Sequence, residues 1–115
     1  GQYNEYLKRF ELQQLRNWTV RKGWLGDVVV NQPAIFRVEI KSKDKTPVKS
    51  AVVEGLFLRP ANSKEDLEFT MQEVEPGIYQ QSITLVEPGN WDLILKIHKG
   101  EDFHEVRAKT VVNSK

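Results

Sequence analysis

The side chains best suited to bind a soft metal ion in this chain are two histidines and one methionine. They are His98, His104 and Met71, and the chain contains no cysteine. Imidazole and thioether groups bind copper when several of them converge on one point. A copper site would therefore have to bring these three residues together.

The expected strand pairing separates the two histidines. If Ile97 and His104 are cross-strand partners on the buried face, His98 pairs with Phe103 on the other face. The two imidazoles then lie on opposite sides of one sheet, His98 at the surface and His104 at the rim. We therefore predict no metal site and no cofactor, and keep these histidines and Met71 as the candidate ligands if copper is bound.

Groups that could catalyse a reaction are scattered along the sequence. No serine lies in a nucleophile-elbow motif and no glycine-rich phosphate loop occurs. Glu65 and Asp66 stand beside Lys64, but such a charged cluster before a strand is typical of a solvated turn. We predict no catalytic residues and conclude that the chain is not an enzyme.

Composition indicates one globular domain. The chain has 115 residues, of which 39% are hydrophobic and 29% charged, enough for a single core. Its 17 Lys and Arg residues are interleaved with 16 Asp and Glu residues, so there is no basic stripe for nucleic acid. The first residue is Gly1 rather than methionine, and we expect a targeting or membrane segment upstream of it.

The first 18 residues predict an amphipathic helix. Residues 2–18 contain no glycine, proline or β-branched residue, and apolar side chains recur near helical spacing. These side chains are Tyr3, Tyr6, Leu7, Phe10, Leu15 and Trp18. We divide the chain into this helix, residues 1–18, and a β domain, residues 19–115.

From Thr19 onward, short alternating segments separated by turns predict an all-β, immunoglobulin-like sandwich of about seven strands. Residues 36–41 alternate between apolar and charged side chains, residues 28–30 count as a short strand, and residues 103–112 form the last strand. Trp91, after the turn at Pro88-Gly89-Asn90, is the predicted core anchor.

A hairpin is predicted around the turn Glu75-Pro76-Gly77. Apolar side chains alternate from Leu67 to Met71 before the turn and from Tyr79 to Leu85 after it. Because the side-chain period of a strand is two, these odd-numbered positions share one face. We therefore expect the two segments to pair.

Residues 51–59 are apolar on both faces except at Glu54, which is typical of a central strand whose outer face is also covered. Pro60 ends this strand. Leu56, Leu58 and Ile94 would lie opposite the core side chains, and an exposed apolar patch of this kind marks a contact surface. We expect something to cover it.

Two elements could cover this apolar surface. One is the N-terminal helix of the same chain, through Leu7, Phe10 and Trp18. The other is a partner protein, with Arg59 and Pro60 as further candidate contacts. The helix also leaves room for a dimer.

A series of short motifs occurs in order along the β domain. They are Gly23-Trp24, Asp44 with Thr46-Pro47-Val48, Ala51-x-Val53-x-Gly55, Leu58-Arg59-Pro60, Glu65-Asp66-Leu67, Pro76-Gly77-x-Tyr79, Pro88-Gly89-x-Trp91-Asp92-Leu93, Gly100 and Phe103. In this order the sequence resembles the FixH family of bacterial cytochrome oxidase maturation proteins over most of its length.

The resemblance implies a function in assembly. Members of this family have an N-terminal membrane helix followed by a periplasmic β domain, which places this domain on the periplasmic side of the bacterial inner membrane. They act with a copper-transporting P-type ATPase and neighbouring membrane proteins to assemble the cbb3-type haem-copper oxidase. Residues 2–18 would then be the juxtamembrane segment. The resemblance supplies no catalytic or copper-ligand motif.

Two other functions stay open on the sequence. The chain could carry copper in the periplasm, which requires the candidate ligands to converge. It could also be a generic immunoglobulin-like adhesion or spacer module of a larger extracellular protein, since the turn motifs serve that fold equally well.

Overall fold

The computed structural model describes residues 17–114. The predicted N-terminal helix lies outside these residues except at its last two positions, Asn17 and Trp18. Asn17 lies in a turn with a φ of 52° and Trp18 in an irregular stretch. A left-handed φ does not occur within an α-helix, so the prediction that the helix extends to Trp18 is wrong.

In the described residues, eight antiparallel strands form two sheets of four. The strands are β1 (Thr19–Leu25), β2 (Ala34–Lys41), β3 (Val52–Leu58), β4 (Leu67–Thr70), β5 (Gln72–Glu75), β6 (Ile78–Ile83), β7 (Gly89–Lys99) and β8 (Asp102–Val112). The first sheet has the order β1-β2-β6-β5 and the second the order β4-β3-β7-β8. Within residues 17–114 the helical content is one 3₁₀ turn, Ser63–Glu65.

The core lies between the two sheets. Along β2 the side chains of Phe36, Val38 and Ile40 are buried and their neighbours are not, as the alternation predicts. Trp91 is fully buried, which confirms it as a core anchor. Its ring Nε1–H donates to the Glu87 carbonyl at 2.9 Å, so the buried indole keeps a hydrogen bond.

The predicted hairpin is only partly correct. β5 pairs with β6 around the turn at residues 76–77, but β4 pairs with β3 in the other sheet. Met71 alone separates β4 from β5, and its N–H donates to the Val53 carbonyl at 2.8 Å. The apolar alternation that begins at Leu67 runs up to Met71, where the chain changes sheet, and periodicity does not show which sheet each part of the segment joins. Eight strands therefore replace the seven expected.

Residues 28–30, predicted to form a strand, make an isolated parallel bridge to the end of β8. Val30 N–H donates to the Asn113 carbonyl at 2.9 Å, and Asn113 N–H donates to the Val28 carbonyl at 3.0 Å. This bridge ties the segment after β1 to the second sheet. Across residues 17–114 no helix has the length and apolarity needed to cross a membrane.

Candidate functional site

The outer face of the second sheet contains the apolar side chains that sequence singled out. Leu56 and Leu58 on β3 and Ile94 on β7 alternate with buried residues and are each half-buried. Leu56 lies directly opposite Ile94 in the register between these two central strands. We refer to the outward side of β4, β3, β7 and β8 as the outer face.

Two shallow depressions lie on the outer face, one on each side of Ile94. The larger is about 510 Å³ and lies towards β4, between Leu56 and Glu68. The smaller is about 320 Å³ and lies towards β8, beside Arg107. Both have apolar floors and charged rims, a composition suited to a protein contact.

Arg59 is held by contacts within the chain. Its guanidinium lies 5.4 Å from the ring centre of Trp91 and donates to the Asn90 carbonyl at 3.1 Å. It also forms an ion pair with Glu65 at 3.8 Å, and only 18% of its side chain is exposed. These contacts join the end of β3 to the start of β7. Pro60 follows and is exposed.

Glu65 and Asp66 organise the loop after β3. Asp66 Oδ1 accepts a hydrogen bond from the Arg59 N–H at 3.0 Å, and Glu65 Oε1 accepts one from the Asn62 side chain at 3.3 Å. Glu65 is half-buried against Arg59, so the expectation of a fully solvated turn is wrong at this residue. The pair orders the loop rather than forming half of a carboxylate site.

The N-terminal contact candidates divide between described and undescribed residues. Leu7 and Phe10 lie outside residues 17–114. Trp18 is half-buried against the core, and its ring centre lies 5.9 Å from that of His104 on β8. Trp18 therefore lies at the edge of the second sheet.

The candidate copper ligands lie in different environments. Ile97 pairs with His104 and His98 with Phe103, which confirms the predicted register. His98 lies on the outer face, with Nε2 at 3.9 Å from Glu54 Oε1, whereas His104 and Met71 are buried on the core side. Within residues 17–114, no three or more His, Cys, Asp or Glu residues are grouped to hold a metal ion.

The comparison with protein families decides the identity. The FixH family profile matches residues 1–112, nearly the whole chain. The chain belongs to the FixH family. No curated protein sequence matches this FixH-family chain.

Solved structures with the same fold are distant in sequence from this FixH chain. An engineered protein aligns with a TM-score of 0.61 at 11% identity, over 84% of this chain and 20% of its own length. An endo-β-1,4-mannanase from Thermotoga petrophila aligns at 0.57 with 20% identity, over 96% of this chain and 23% of its own. The Lin-41 filamin domain aligns at 0.55 with 17% identity, over 87% of this chain and 93% of its own.

These structures establish the fold alone. The chain spans only about a fifth of the engineered protein that it matches. With the strand orders β1-β2-β6-β5 and β4-β3-β7-β8, they identify an immunoglobulin-like sandwich. Such sandwiches support many unrelated functions.

Several motif residues of this FixH chain serve the packing of the sandwich. Trp24 stacks on Phe57 at 5.7 Å between ring centres, and its Nε1–H donates to Thr110 Oγ1 at 3.0 Å, linking the edge strands β1 and β8. At Gly55, an added Cβ would lie 2.1 Å from Phe69 Cζ, so only glycine leaves room for that ring.

The turn motifs also pack on each other. Gly77 has a φ of 76°, and a Cβ there would lie 2.8 Å from Pro47 Cβ. The Tyr79 hydroxyl donates to the Val48 carbonyl at 2.8 Å and accepts from the Ala51 N–H at 3.0 Å. Burial raises the pKa of this hydroxyl. Gly89, with a φ of 98°, leaves space beside the Arg59 guanidinium.

Glu73 is a residue that sequence reasoning missed. Its Oε2 accepts from the Gly77 N–H and its Oε1 from the Ser50 N–H, both at 3.0 Å. These bonds, the one from Gly77 first, lower the pKa of its carboxyl. Ser50 also has a left-handed φ, 59°, so one carboxylate stabilises two strained turns. No local signal identifies it, because Ser50 lies 23 positions away.

Proposed function

We propose that this chain is the periplasmic β domain of a membrane-anchored, non-catalytic assembly factor for a cbb3-type haem-copper oxidase. The observation that carries the proposal is the FixH family match over residues 1–112. The partners proposed are a copper-transporting P-type ATPase and the neighbouring membrane proteins of oxidase maturation. The location proposed is the bacterial inner membrane, with this domain on the periplasmic side.

The surface chemistry supports a binding role. The outer face combines half-buried Leu56, Leu58 and Ile94 with charged rims and shallow depressions. Apolar centres with polar rims are typical of protein contact surfaces. The ordered loop around Arg59 lies at the end of the same sheet. The sandwich thus supplies a rigid surface on which partners can assemble.

Co-purification from membranes tests the proposal. The full-length protein is tagged, restored to a strain that lacks it and captured from detergent-solubilised membranes. We expect cbb3 oxidase subunits or the copper-transporting ATPase to co-purify. Capture of neither, with the tagged protein intact in the membrane, would refute the proposal.

A domain replacement separates a specific assembly factor from a spacer. The matched control carries the Lin-41 filamin domain in place of residues 19–115, because it has the same fold at 17% identity. An assembly factor loses its partners on this replacement, since the contact side chains are gone. Equal co-purification by the replaced protein would favour the spacer function.

A further inference from the structure

The outer face carries opposite charges at its two edges. One row across the sheet runs from Glu68 on β4 through Leu56 and Ile94 to Arg107 on β8. Glu68 and Arg107 are separated by three strand spacings, about 14 Å. They are therefore too far apart to pair within one chain, and Arg107 instead forms an ion pair with Glu105 on its own strand, with Nε and Oε2 3.2 Å apart.

The next row repeats this polarity at its centre. Glu54 on β3 lies opposite Lys96 on β7, with Thr70 and Glu105 at the ends of the row. In both rows an acidic residue lies on the β4 and β3 side, and a basic residue lies on the β7 and β8 side. The two rows thus share this polarity, and Glu105 on β8 and Asp92 on β7 are acidic exceptions to it.

We propose that the outer face is the contact surface of a two-fold symmetric dimer of this chain. A two-fold axis parallel to the strands, midway between β3 and β7, reverses the order of each row in the second copy. Glu68 of each copy then faces Arg107 of the other, and Leu56 faces Ile94. Such a contact uses the same patch on both subunits, as isologous dimers do.

The charges disfavour a face-to-face arrangement about the perpendicular axis through the same row. A two-fold axis perpendicular to the strands and passing through the row of Glu68 keeps the order of that row, so Glu68 would face Glu68 and Arg107 would face Arg107. Like charges placed directly opposite each other are destabilising. The charge pattern therefore favours a second copy as the occupant and the axis parallel to the strands as its orientation.

The shape of the face agrees with this orientation. The axis brings the β8 side of one copy over the β4 side of the other, where the depression of about 510 Å³ lies beside Glu68. The Arg107 side chain is 71% exposed. Its Nε–H donates to Glu105 Oε2 at 3.2 Å, which leaves the other N–H groups of the guanidinium able to reach this depression when sheets pack at about 10 Å.

The size of the face predicts a weak dimer. Four strands give a width of about 19 Å, so the contact buries roughly 1,200 Å² in total, at the lower end of specific interfaces. We expect association that depends on concentration in solution and is favoured where chains are confined to one membrane. This inference does not depend on the oxidase role, because it concerns only the chain itself.

Sedimentation of the full chain tests the proposal. We expect a monomer–dimer equilibrium between micromolar and millimolar concentration. Glu68→Arg and Arg107→Glu should each raise the dissociation constant about tenfold or more, because two opposite-charge contacts per dimer become like-charge contacts. Arg37→Glu and Glu39→Arg, on the outward side of the first sheet, are the matched controls and should leave the constant unchanged.

A mixture of the two weakened variants provides the sharper test. In a heterodimer, Arg at position 68 of one copy faces Glu at position 107 of the other, and the second contact retains its original pair. Mixing should therefore restore the wild-type dissociation constant. The proposal would be overturned if the chain stays monomeric or if the outer face crosslinks to residues 1–16 of the same chain. It would also be overturned if the mixture has a dissociation constant no lower than that of either variant alone.

Discussion

Gly55 has no side chain where the Phe69 ring packs into the core. Gly55→Ala would place a Cβ atom 2.1 Å from Phe69 Cζ. Overpacking of this kind costs about 1–3 kcal/mol of the free energy of unfolding. We expect Gly55→Ala to destabilise the domain by that amount in a denaturant titration.

The control for this substitution lies on β1. Nothing lies within 4 Å of a Cβ added at Gly23, so Gly23→Ala should leave the stability nearly unchanged. Adding Phe69→Leu to Gly55→Ala should recover part of the loss, because the smaller side chain frees the space. Additive losses in the double variant would show that the ring contact is not the cause.

Glu73 should make the stability depend on pH. Its pKa is lower in the folded chain than in the unfolded one, so its contribution is complete above the unfolded pKa of about 4.3 and is lost as the pH falls through the folded pKa. Glu73→Gln should therefore lower the free energy of unfolding by at most about 1 kcal/mol at neutral pH, because solvent screens an exposed group. The cost should shrink as the pH falls below about 4.

Denaturant titrations of both proteins at a series of pH values measure this effect. Glu75→Gln, on the same strand and exposed, is the matched control for removing one negative charge. If the two variants show the same pH dependence, the hydrogen bonds from Gly77 and Ser50 do not account for the stability.

Copper binding is the residue-scale test of the carrier function. His98 lies on the outer face, while His104 and Met71 lie on the core side. Because copper ligands must converge, we expect an anaerobic Cu(I) titration of the domain to show no binding tighter than micromolar. Tighter binding that is lost in His98→Ala would contradict this placement.

At the scale of elements, Arg59 joins the end of β3 to the start of β7. Arg59→Ala removes the hydrogen bond to the Asn90 carbonyl, the stacking on Trp91 and the ion pair with Glu65. Together these contacts contribute about 1–2 kcal/mol. We expect thermal unfolding at a correspondingly lower temperature, with Arg37→Ala as the control. An unchanged unfolding temperature would show that these contacts do not stabilise the domain. Partner binding would then be the remaining role of Arg59.

Sequence alone predicted the elements whose signals are local. Alternation along β2, β7 and β8 gave the buried faces, and matching those faces gave the register that pairs His98 with Phe103. The sheet change at Met71 was not predictable, because the spacing of apolar residues does not show which sheet a strand joins. The roles of Glu73 and Arg59 depend on contacts between residues distant in sequence, which no spacing rule reports.

At the scale of the whole molecule, the fold and the function rest on different observations. A mannanase and a filamin domain align with this chain on the same sandwich at 20% and 17% identity, so the scaffold does not select a function. The FixH family match is specific to the chain. The family motifs largely stabilise the sandwich, and the outer face is the surface that they position.

The most direct measurement is spectroscopic quantitation of assembled cbb3-type oxidase in membranes of a strain deleted for this gene. The full-length protein is then restored, alongside the version carrying the filamin domain as a control. An assembly role predicts loss of the oxidase on deletion, recovery with the native protein and no recovery with the control. An unchanged amount of oxidase in the deletion strain would contradict the proposed function.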